Sequence, residues 1–273
     1  MIAKRVIVIG WDGAGNFVRE ARTPNLDRLI ARGACTYEAQ AVMPTISAQC
    51  WGSMLHGVCP LKHGLDNGIA ASRAYPEQSP YPSVFRAVRE ARPAGELASY
   101  VCWKPINNGI IEQSAGVRFV SLGDDELAEA AAAHIRECSG LDLMFIQFDA
   151  PDIAGHKDGY GTAGQMQAIA ETDGRTGKVI EAVAARGWTE ETLFIVLSDH
   201  GGGGERPDSH GSSHPLDQTI FWACAGPGVR AGSAVPDSLT ITDTAAVIVH
   251  ALGLEAPSQW EAKLPEGLFS GTA

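Results

Sequence analysis

The segment FDAPDIAGHKDG, residues 148–159, places three carboxylates and an imidazole directly after a run of apolar residues. Asp152 and His156 are four positions apart, so on one helical turn both side chains point to the same side. An acid and a histidine placed in this way are typical ligands of a transition-metal ion. Asp149 and Asp158 are predicted to be supporting or solvated neighbours.

Two other apolar runs also end in acidic residues. Asp12 closes RVIVIGWD at a glycine-rich turn, and Asp199 and His200 follow the apolar run in TLFIVLSDHGGGG. Burying an acid and an imidazole together is costly unless something binds them. The alternative for each Asp is an ordinary turn or a helix cap. We expect the glycines after His200 to keep the backbone clear for a bulky substrate.

Two loops offer further ligands and hydroxyl groups. His210 and His214 precede the apolar run TIFWACAG, and at least one of them is predicted to be a ligand. Thr45, Ser47 and Ser53 lie in MPTISAQCWGSMLHG, where a helix is predicted. The N-terminus of that helix would attract an anion, and a hydroxyl that caps the helix would already lie at the anion site.

The donor types indicate which ions would bind. Carboxylate, imidazole and hydroxyl groups without a thiolate suit Zn²⁺, with Mn²⁺ and Fe²⁺ as alternatives. About seven such groups are too many for one tetrahedral ion and suit two ions. Two ions roughly 3.5–4 Å apart stabilise the attacking and leaving oxygens of a displacement at phosphorus. The residues therefore predict a two-metal site for a phosphate ester.

Alternating apolar and amphipathic stretches predict the elements that position these groups. The predicted strands are 5–12, 97–103, 141–149, 192–199 and 219–226, and the predicted helices are 23–33, 83–91, 124–138, 163–187 and 242–253. Almost continuously apolar strands are typical of a sheet that is buried on both faces. The pattern predicts an α/β fold with a mostly parallel central sheet and helices on both faces. Without a linker or repeat, we expect a single domain over 1–273. Ligands bind beyond the carboxyl ends of such strands, where these acids lie.

Composition argues against several partners. The net charge of −11 over 273 residues disfavours a nucleic-acid polymer or an anionic membrane, but bound cations would still allow an anionic substrate. No apolar run approaches the ~20 residues of a membrane span, and the N-terminus lacks a signal-peptide pattern. Six scattered cysteines without a CxxC pair predict reduced thiols and a cytoplasmic protein, with a Cys50–Cys59 disulfide as the alternative.

The order of the motifs resembles the alkaline phosphatase superfamily, and within it the type I phosphodiesterase/nucleotide pyrophosphatase group. The motifs run from residue 5 to about 253 and are the strand-terminal Asp12, PTIS (44–47), PLKHG (60–64), PDIAGH (151–156), SDHGG (198–202), HG (210–211) and GPG (226–228). The resemblance implies an alkaline phosphatase-like three-layer sandwich. It also implies a phosphodiesterase or nucleotide pyrophosphatase that acts on a small phosphate ester through a phosphoserine.

The resemblance further implies two sets of metal ligands. The first is Asp12, Asp199 and His200 with the oxygen of Ser47, and the second is Asp152, His156 and His210, with His214 as the alternative to His210. Ser47 matches the nucleophile of the family, and Thr45 is the fallback.

The chain departs from the family at one substrate-binding position. Cys50 stands where pyrophosphatase relatives carry an Asn that holds a phosphoryl oxygen, and a thiol is a weak donor. The segment after Ser47 lacks the CxPxR or SxPxR signature of sulfatases, so sulfatase activity is not expected. Lys104, at another predicted strand end, is predicted to contact the anionic substrate, with a solvated loop lysine as the alternative.

Two further functions stay open at this point. A phosphonate hydrolase or a phosphomonoesterase would use the same site, because leaving-group recognition resides in loops. The alternative of another class is a non-catalytic nucleotide-binding α/β module, in which the acids only cap strands.

Overall fold

The computed structural model describes residues 1–233 and 235–270, and seven strands there form one sheet in the order β2-β7-β6-β1-β5-β3-β4. The strands are β1 Arg5–Trp11, β2 Ala34–Gln40, β3 Leu97–Val101, β4 Arg118–Ser121, β5 Leu143–Phe148, β6 Thr192–Leu197 and β7 Thr219–Ala225. Parallel pairs join β6, β1, β5, β3 and β4, whereas β7 is antiparallel to both β6 and β2. The predicted mostly parallel α/β sheet is confirmed.

Ten α-helices surround the sheet in the part of the chain that the structure describes. They are α1 Pro24–Ile30, α2 Ser47–His56, α3 Pro60–His63, α4 Asn67–Ser72, α5 Val84–Ala91, α6 Asp124–Glu137, α7 Ala150–Asp158, α8 Ala163–Ala185, α9 Pro215–Gln218 and α10 Thr244–Ala251. Shorter 3-10 turns lie at Phe17–Arg19, Gln113–Ala115, Thr189–Glu191 and Ile241–Asp243, and a π-helical turn at Ile106–Ile110.

The core lies in two layers, one on each face of the sheet. Successive side chains of a strand point to opposite faces, so Val6 and Val8 of β1 pack in one layer and Ile7 and Ile9 in the other. The first layer includes residues of α2, α5 and α10, and the second includes residues of α1, α6 and α8. This arrangement is the predicted three-layer sandwich.

Helix α2, which begins at Ser47, is anchored at its far end. Gly57 ends the helix with a φ of 62°, and a Cβ there would come within 2.7 Å of the Trp260 ring. The indole N–H of Trp260 donates to the carbonyl oxygen of Pro82 at 2.9 Å. The C-terminal segment therefore holds the helix that carries Ser47.

The structure bears on some of the expectations about the whole chain. No helix within residues 1–233 and 235–270 is long and apolar enough to cross a membrane. All six cysteines are free thiols, including Cys50 and Cys59. The expectation of a single domain over 1–273 stays a prediction, and positions 234 and 271–273 lie outside the described residues.

Candidate active site

The three central strands end at the same edge of the sheet and carry the predicted acids. Because β1 is parallel to β5 and β6, Trp11 pairs with Phe148 and Gly10 with Leu197, which aligns the three strand ends. Asp12 follows β1 directly, and Asp199 lies two residues after the end of β6. Helix α7, which carries Asp152 and His156, begins two residues after β5 ends. The sheet thus collects these distant segments in one place.

The first predicted ligand set is assembled in the buried part of the site. Asp12, Asp199 and His200 are at most 1% exposed and offer ligand atoms within 4.8 Å of one another. The Nε2 of His200 lies 3.4 Å from Asp12 Oδ1 and 3.4 Å from Asp199 Oδ2. The Oγ of Ser47 lies 3.2 Å from His200 Nε2 and 3.5 Å from Asp12 Oδ1. The structure therefore brings all four predicted residues together.

The second predicted set lies next to the first and closer to solvent. Asp152 Oδ2 is 3.3 Å from His156 Nε2, and Asp152 Oδ1 is 3.9 Å from His210 Nε2. The His210 ring stacks on the His200 ring with 3.9 Å between centroids. Asp152, His200 and His210 also offer ligand atoms within 4.8 Å of one another, so the two sets adjoin at His200.

The three histidines of the site share one hydrogen-bonding pattern. Their Nδ1 atoms lie 2.6–2.8 Å from backbone carbonyl oxygens, those of Asp208 for His156, Gly201 for His200 and Thr45 for His210. A neutral imidazole has one N–H, so donation from Nδ1 leaves Nε2 as an acceptor. Burial lowers the pKa of His200, and that of His210 to about 4, which keeps both rings neutral at pH 7. The Nε2 of His156 instead faces the Asp152 carboxylate, and this contact raises the pKa of His156 to about 9, so that ring carries a second proton at pH 7 unless an ion replaces it. Rings held by the backbone at Nδ1 are typical of metal ligands.

One oxygen of the Asp199 carboxylate accepts no hydrogen bond within the described residues. Its Oδ1 accepts the backbone N–H groups of Gly13 and His200 at 3.1 and 2.9 Å, whereas the buried Oδ2 has no hydrogen bond within the described residues. Burial, followed by the charge of Asp152, raises the pKa of Asp199 to about 8. Burial and the charge of Asp199 also raise the pKa of Asp12. Buried, mutually repelling carboxylates with a free oxygen fit a bound cation.

Two residues that sequence analysis missed hold Asp12 in place. The Trp51 indole N–H and the Gln147 amide donate to Asp12 Oδ2 at 2.8 and 2.9 Å. The same Gln147 amide donates to Asp149 Oδ1 at 2.8 Å, which makes Asp149 a supporting neighbour. Asp158 is exposed at the end of α7. No local sequence signal marks Trp51 or Gln147, because both lie within runs of buried residues.

The two candidate nucleophiles have different surroundings. Ser47 is the first residue of α2, and its hydroxyl faces the cluster of carboxylates and histidines. The Thr45 hydroxyl is fully buried, donates to the Ser212 carbonyl oxygen at 3.0 Å and accepts the Gly211 N–H at 3.0 Å. The structure therefore brings Ser47 to the cluster and uses the Thr45 hydroxyl to hold the loop that carries His210.

The family assignment follows from comparison with known proteins. The model of the type I phosphodiesterase/nucleotide pyrophosphatase family matches residues 6–220. The chain belongs to this family. The predicted membership is confirmed, and the matched segment contains every predicted ligand of the two sets.

Curated relatives of this family member are longer than the chain. A 2,3-bisphosphoglycerate-independent phosphoglycerate mutase from Desulforudis audaxviator is 30% identical over 141 residues, which cover 49% of this chain and 25% of the relative. Human ectonucleotide pyrophosphatase/phosphodiesterase family member 7 is 21% identical over 219 residues, which cover 72% of this chain and 47% of the relative. The chain thus spans a quarter to a half of the relatives that it matches.

Solved structures share the fold of this phosphodiesterase-family chain. Murine ectonucleotide pyrophosphatase/phosphodiesterase 5 superposes with a TM-score of 0.73 and 15% identity, over 92% of this chain and 96% of that one. A 2-O GAG sulfatase superposes with a TM-score of 0.78 and 12% identity, over 96% of this chain and 73% of that one. At these identities the likeness concerns the fold, and it confirms the alkaline phosphatase-like architecture.

Three of the predicted positions make no hydrogen bond or ion pair to the cluster within the described residues of this family member. Cys50 is fully buried, its Sγ lies 3.8 Å from the carbonyl oxygen of Val42, and burial followed by the charges of Asp199 and Asp12 raises the pKa of its thiol. Lys104 is exposed after β3 and forms no ion pair with the described residues. His214 caps α9, and its Nδ1 accepts the N–H of Leu216 at 3.2 Å. His210 therefore joins the cluster and His214 does not.

Asn67 is a further residue that sequence analysis missed. It begins α4, and its Oδ1 accepts the N–H of Ala48, the residue after Ser47, at 3.0 Å. Its amide nitrogen makes no hydrogen bond within residues 1–233 and 235–270. A free amide donor thus lies beside Ser47, where the buried Cys50 offers none. Its position depends on the turn through α3, so no local pattern predicts it.

The glycines after His200 do not open space for a substrate, and that expectation is wrong. A Cβ on Gly201 would lie 2.0 Å from the Leu216 carbonyl oxygen, and one on Gly202 would lie 2.6 Å from the Tyr160 ring. The glycines are needed because α9 and the Tyr160 ring pack directly against this backbone.

Proposed function

We propose that this chain is a two-metal hydrolase of phosphate esters, of the phosphodiesterase or nucleotide pyrophosphatase type, with Ser47 as its nucleophile. The observation that carries the proposal is the position of the Ser47 hydroxyl. It stands at the N-terminus of α2, within 3.5 Å of Asp12 Oδ1 and of His200 Nε2. A helix N-terminus favours a bound anion, so a phosphoryl group would meet the hydroxyl there.

The donor atoms support two ions rather than one. The Nδ1 of His200 is bonded to the Gly201 carbonyl oxygen, so only its Nε2 is free, and one nitrogen cannot serve both sets. We assign Asp12, Asp199 and His200 to one ion, and Asp152, His156 and His210 to the other. When bound, the ions would supply Lewis-acid stabilisation to the attacking and leaving oxygens. Oxygen and imidazole donors favour Zn²⁺, with Mn²⁺ and Fe²⁺ as alternatives.

The residues of the chain perform the displacement in two steps. Ser47 Oγ attacks phosphorus, the Oγ–P bond forms, the bond between phosphorus and the leaving oxygen breaks, and the hydroxyl proton of Ser47 passes to the leaving oxygen. A water molecule then attacks the phosphoserine, the Oγ–P bond breaks, one proton of the water passes to Ser47 Oγ, and its hydroxyl stays on phosphorus. The Asn67 amide donates to a phosphoryl oxygen in both steps, beside the N–H groups of α2. Trp51 and Gln147 hold Asp12 throughout.

The exposure of the site indicates how a substrate enters. The His156 side chain is 46% exposed, whereas the His200 side chain is fully buried, so the phosphate ester approaches from the His156 side. A cavity of about 380 Å³ is lined in part by His210, and it is our candidate site for the ester substituent. An inactive variant of murine ectonucleotide pyrophosphatase/phosphodiesterase 5 has been solved in complex with AMP. We therefore propose nucleoside phosphate esters as first substrates, with Lys104 as a contact for the anion.

Replacement of single hydroxyl groups tests the nucleophile. Ser47→Ala is expected to abolish turnover of a chromogenic phosphodiester, because the variant lacks the hydroxyl that attacks phosphorus. Its metal content should stay close to two ions per chain, because the carboxylate and histidine ligands remain. Thr45→Ala is the comparison variant and is expected to retain turnover at a reduced rate, because the Thr45 hydroxyl holds the loop that carries His210. Wild-type rates in Ser47→Ala, together with loss of turnover in Thr45→Ala, would transfer the nucleophile to Thr45.

Metal analysis and a substrate panel test the rest of the proposal. Chelation is expected to remove both ions together with activity, and Zn²⁺, Mn²⁺ or Fe²⁺ added singly identifies the ion that restores it. Chromogenic phosphodiesters should turn over faster than phosphomonoesters, phosphonates or sulfates, and another order would reassign the reaction on the same site. A chain that takes up no metal would instead support a non-catalytic nucleotide-binding module.

A further inference from the structure

Tyr160 holds one oxygen of the Asp152 carboxylate. The Tyr160 hydroxyl donates to Asp152 Oδ1 at 2.5 Å, while Asp152 Oδ2 faces His156 Nε2 at 3.3 Å. The Tyr160 ring meets the rings of His156 and His210 edge-on, with centroids 5.7 and 6.2 Å apart. One phenol therefore contacts all three residues of the second ligand set.

The backbone around Tyr160 is shaped to its ring. A Cβ on Gly155 or Gly202 would lie 2.5 or 2.6 Å from ring carbons, and one on Gly203 would lie 3.1 Å from Tyr160 Cβ. The Tyr160 N–H also donates to the carbonyl oxygen of Pro207 at 2.8 Å. Tyr160 is only 8% exposed. Glycines from two separate segments thus fix the ring, and the ring in turn fixes the direction of the hydroxyl.

We propose that Tyr160 is a positioning residue that orients the Asp152 carboxylate and thereby sets the metal affinity of the second ligand set. A ligating carboxylate needs a hydrogen-bonding partner to hold its orientation, and loss of such a partner typically weakens metal binding about 10–100-fold. The hydroxyl occupies Oδ1, so Oδ2 is left to meet an ion together with His156 Nε2. The inference rests on the proposed function only in that this cluster binds metal.

The test removes the hydroxyl and keeps the ring. Tyr160→Phe fits the same glycine pocket, so thermal unfolding should show a folded chain. Tyr75→Phe is the matched control, because Tyr75 is also buried and its hydroxyl bonds to Ser79 Oγ at 2.8 Å, outside the site. Each metal-free variant is titrated with Zn²⁺ against a competing chelator, and the two binding steps are measured separately.

We expect Tyr160→Phe to bind one of its two ions about 10–100-fold more weakly and the other as tightly as wild type does. Tyr75→Phe should match wild type in both steps. Excess Zn²⁺ should restore the kcat of Tyr160→Phe, since the lost hydroxyl acts through metal occupancy. A role in packing alone would alter thermal stability and leave both affinities unchanged.

The outcomes separate this inference from the proposed function. If Tyr160→Phe binds both ions with wild-type affinity, the positioning role is overturned, whatever the activity. If wild type binds two ions but hydrolyses no phosphate ester, the proposed function fails while the affinity comparison still decides the role of Tyr160. If wild type binds no ion, both are overturned.

Discussion

Asp199→Asn is expected to stabilise the metal-free chain, although it replaces a carboxyl group of the candidate active site. Asp199 Oδ1 already accepts two backbone N–H groups, and an Asn would keep that acceptor. The amide nitrogen would replace Oδ2, which has no hydrogen-bond partner within the described residues. It would also remove the charge that, after burial, contributes most to the raised pKa of Asp12.

The size of the effect follows from the pKa of Asp199. That pKa rises from 3.8 to about 8 on folding, so the folded chain binds more protons than the unfolded chain between those values. The destabilisation is absent below pH 3.8, grows as pH rises, and is complete above about pH 8. At pH 7, roughly three pH units at about 1.4 kcal/mol per unit correspond to about 4 kcal/mol.

Urea unfolding of chelator-treated protein measures this difference. We expect the free energy of unfolding of Asp199→Asn to exceed that of wild type by up to about 4 kcal/mol at pH 7, and by less than ~2 kcal/mol at pH 5. Zn²⁺ at 100 times its Kd should stabilise wild type by about 2.7 kcal/mol and stabilise the variant less, because one ligand has lost its charge.

Asp217→Asn is the matched control with the opposite sign. Asp217 is 1% exposed, and both of its oxygens accept hydrogen bonds, from Gly204 N–H and from the N–H and hydroxyl of Ser212. An amide there would face donors, so the variant should lose about 1–3 kcal/mol at either pH. If metal-free Asp199→Asn also unfolds more easily than wild type, the carboxylate cluster is not under the electrostatic repulsion described above.

Four further substitutions test other parts of the structure. Gly202→Ala should lower the free energy of unfolding by about 1–3 kcal/mol, because its Cβ would lie 2.6 Å from the Tyr160 ring. Gly174→Ala, in an exposed turn of α8 with nothing within 4 Å of its Cβ, should instead raise it by about 0.5–1 kcal/mol. Asn67→Ala should lower kcat/KM for a phosphodiester by about 10–100-fold at unchanged metal content, because a hydrogen bond to a charged group contributes ~1.5–3 kcal/mol. An unchanged kcat/KM would show that Asn67 does not contact the substrate. Burial lowers the pKa of His63 to about 3, so the stability that its neutral ring provides is present above pH 6.5 and is lost as pH falls toward 3. His63→Gln should therefore lose less stability than wild type between pH 7 and pH 4, as measured by urea unfolding.

The central strands and their terminal acids could be predicted because both leave local signals. The runs of β1, β5 and β6 are continuously buried and end in acids, and β3 and β7 are also largely buried apolar runs, so five of the seven strands could be predicted. The missed strands β2 and β4 lie at the two edges of the sheet. Edge strands are partly exposed, so their sequences ACTYEAQ and RFVS carry no continuous apolar run. The antiparallel direction of β7 also has no local signature.

Contacts between distant segments could not be predicted from spacing. The Asn67 side chain meets the N–H of Ala48 only because α3 and α4 fold back over the start of α2. The sequence GGGG after His200 does not indicate whether these glycines face a substrate or pack against a tyrosine. Only the fold of the chain shows that Tyr160 fills the space beside Gly202.

The packing of Trp260 on Gly57 links the far end of the nucleophile helix to a segment beyond the matched residues 6–220. Helix α2 is ten residues long, about 15 Å, and Ser47 lies at the end opposite Gly57. If the helix tilts about residue 57, the Ser47 oxygen moves in proportion to the length of the helix. A truncation that removes Trp260 would then be expected to shift Ser47 and also to weaken the core layer in which Trp260 packs.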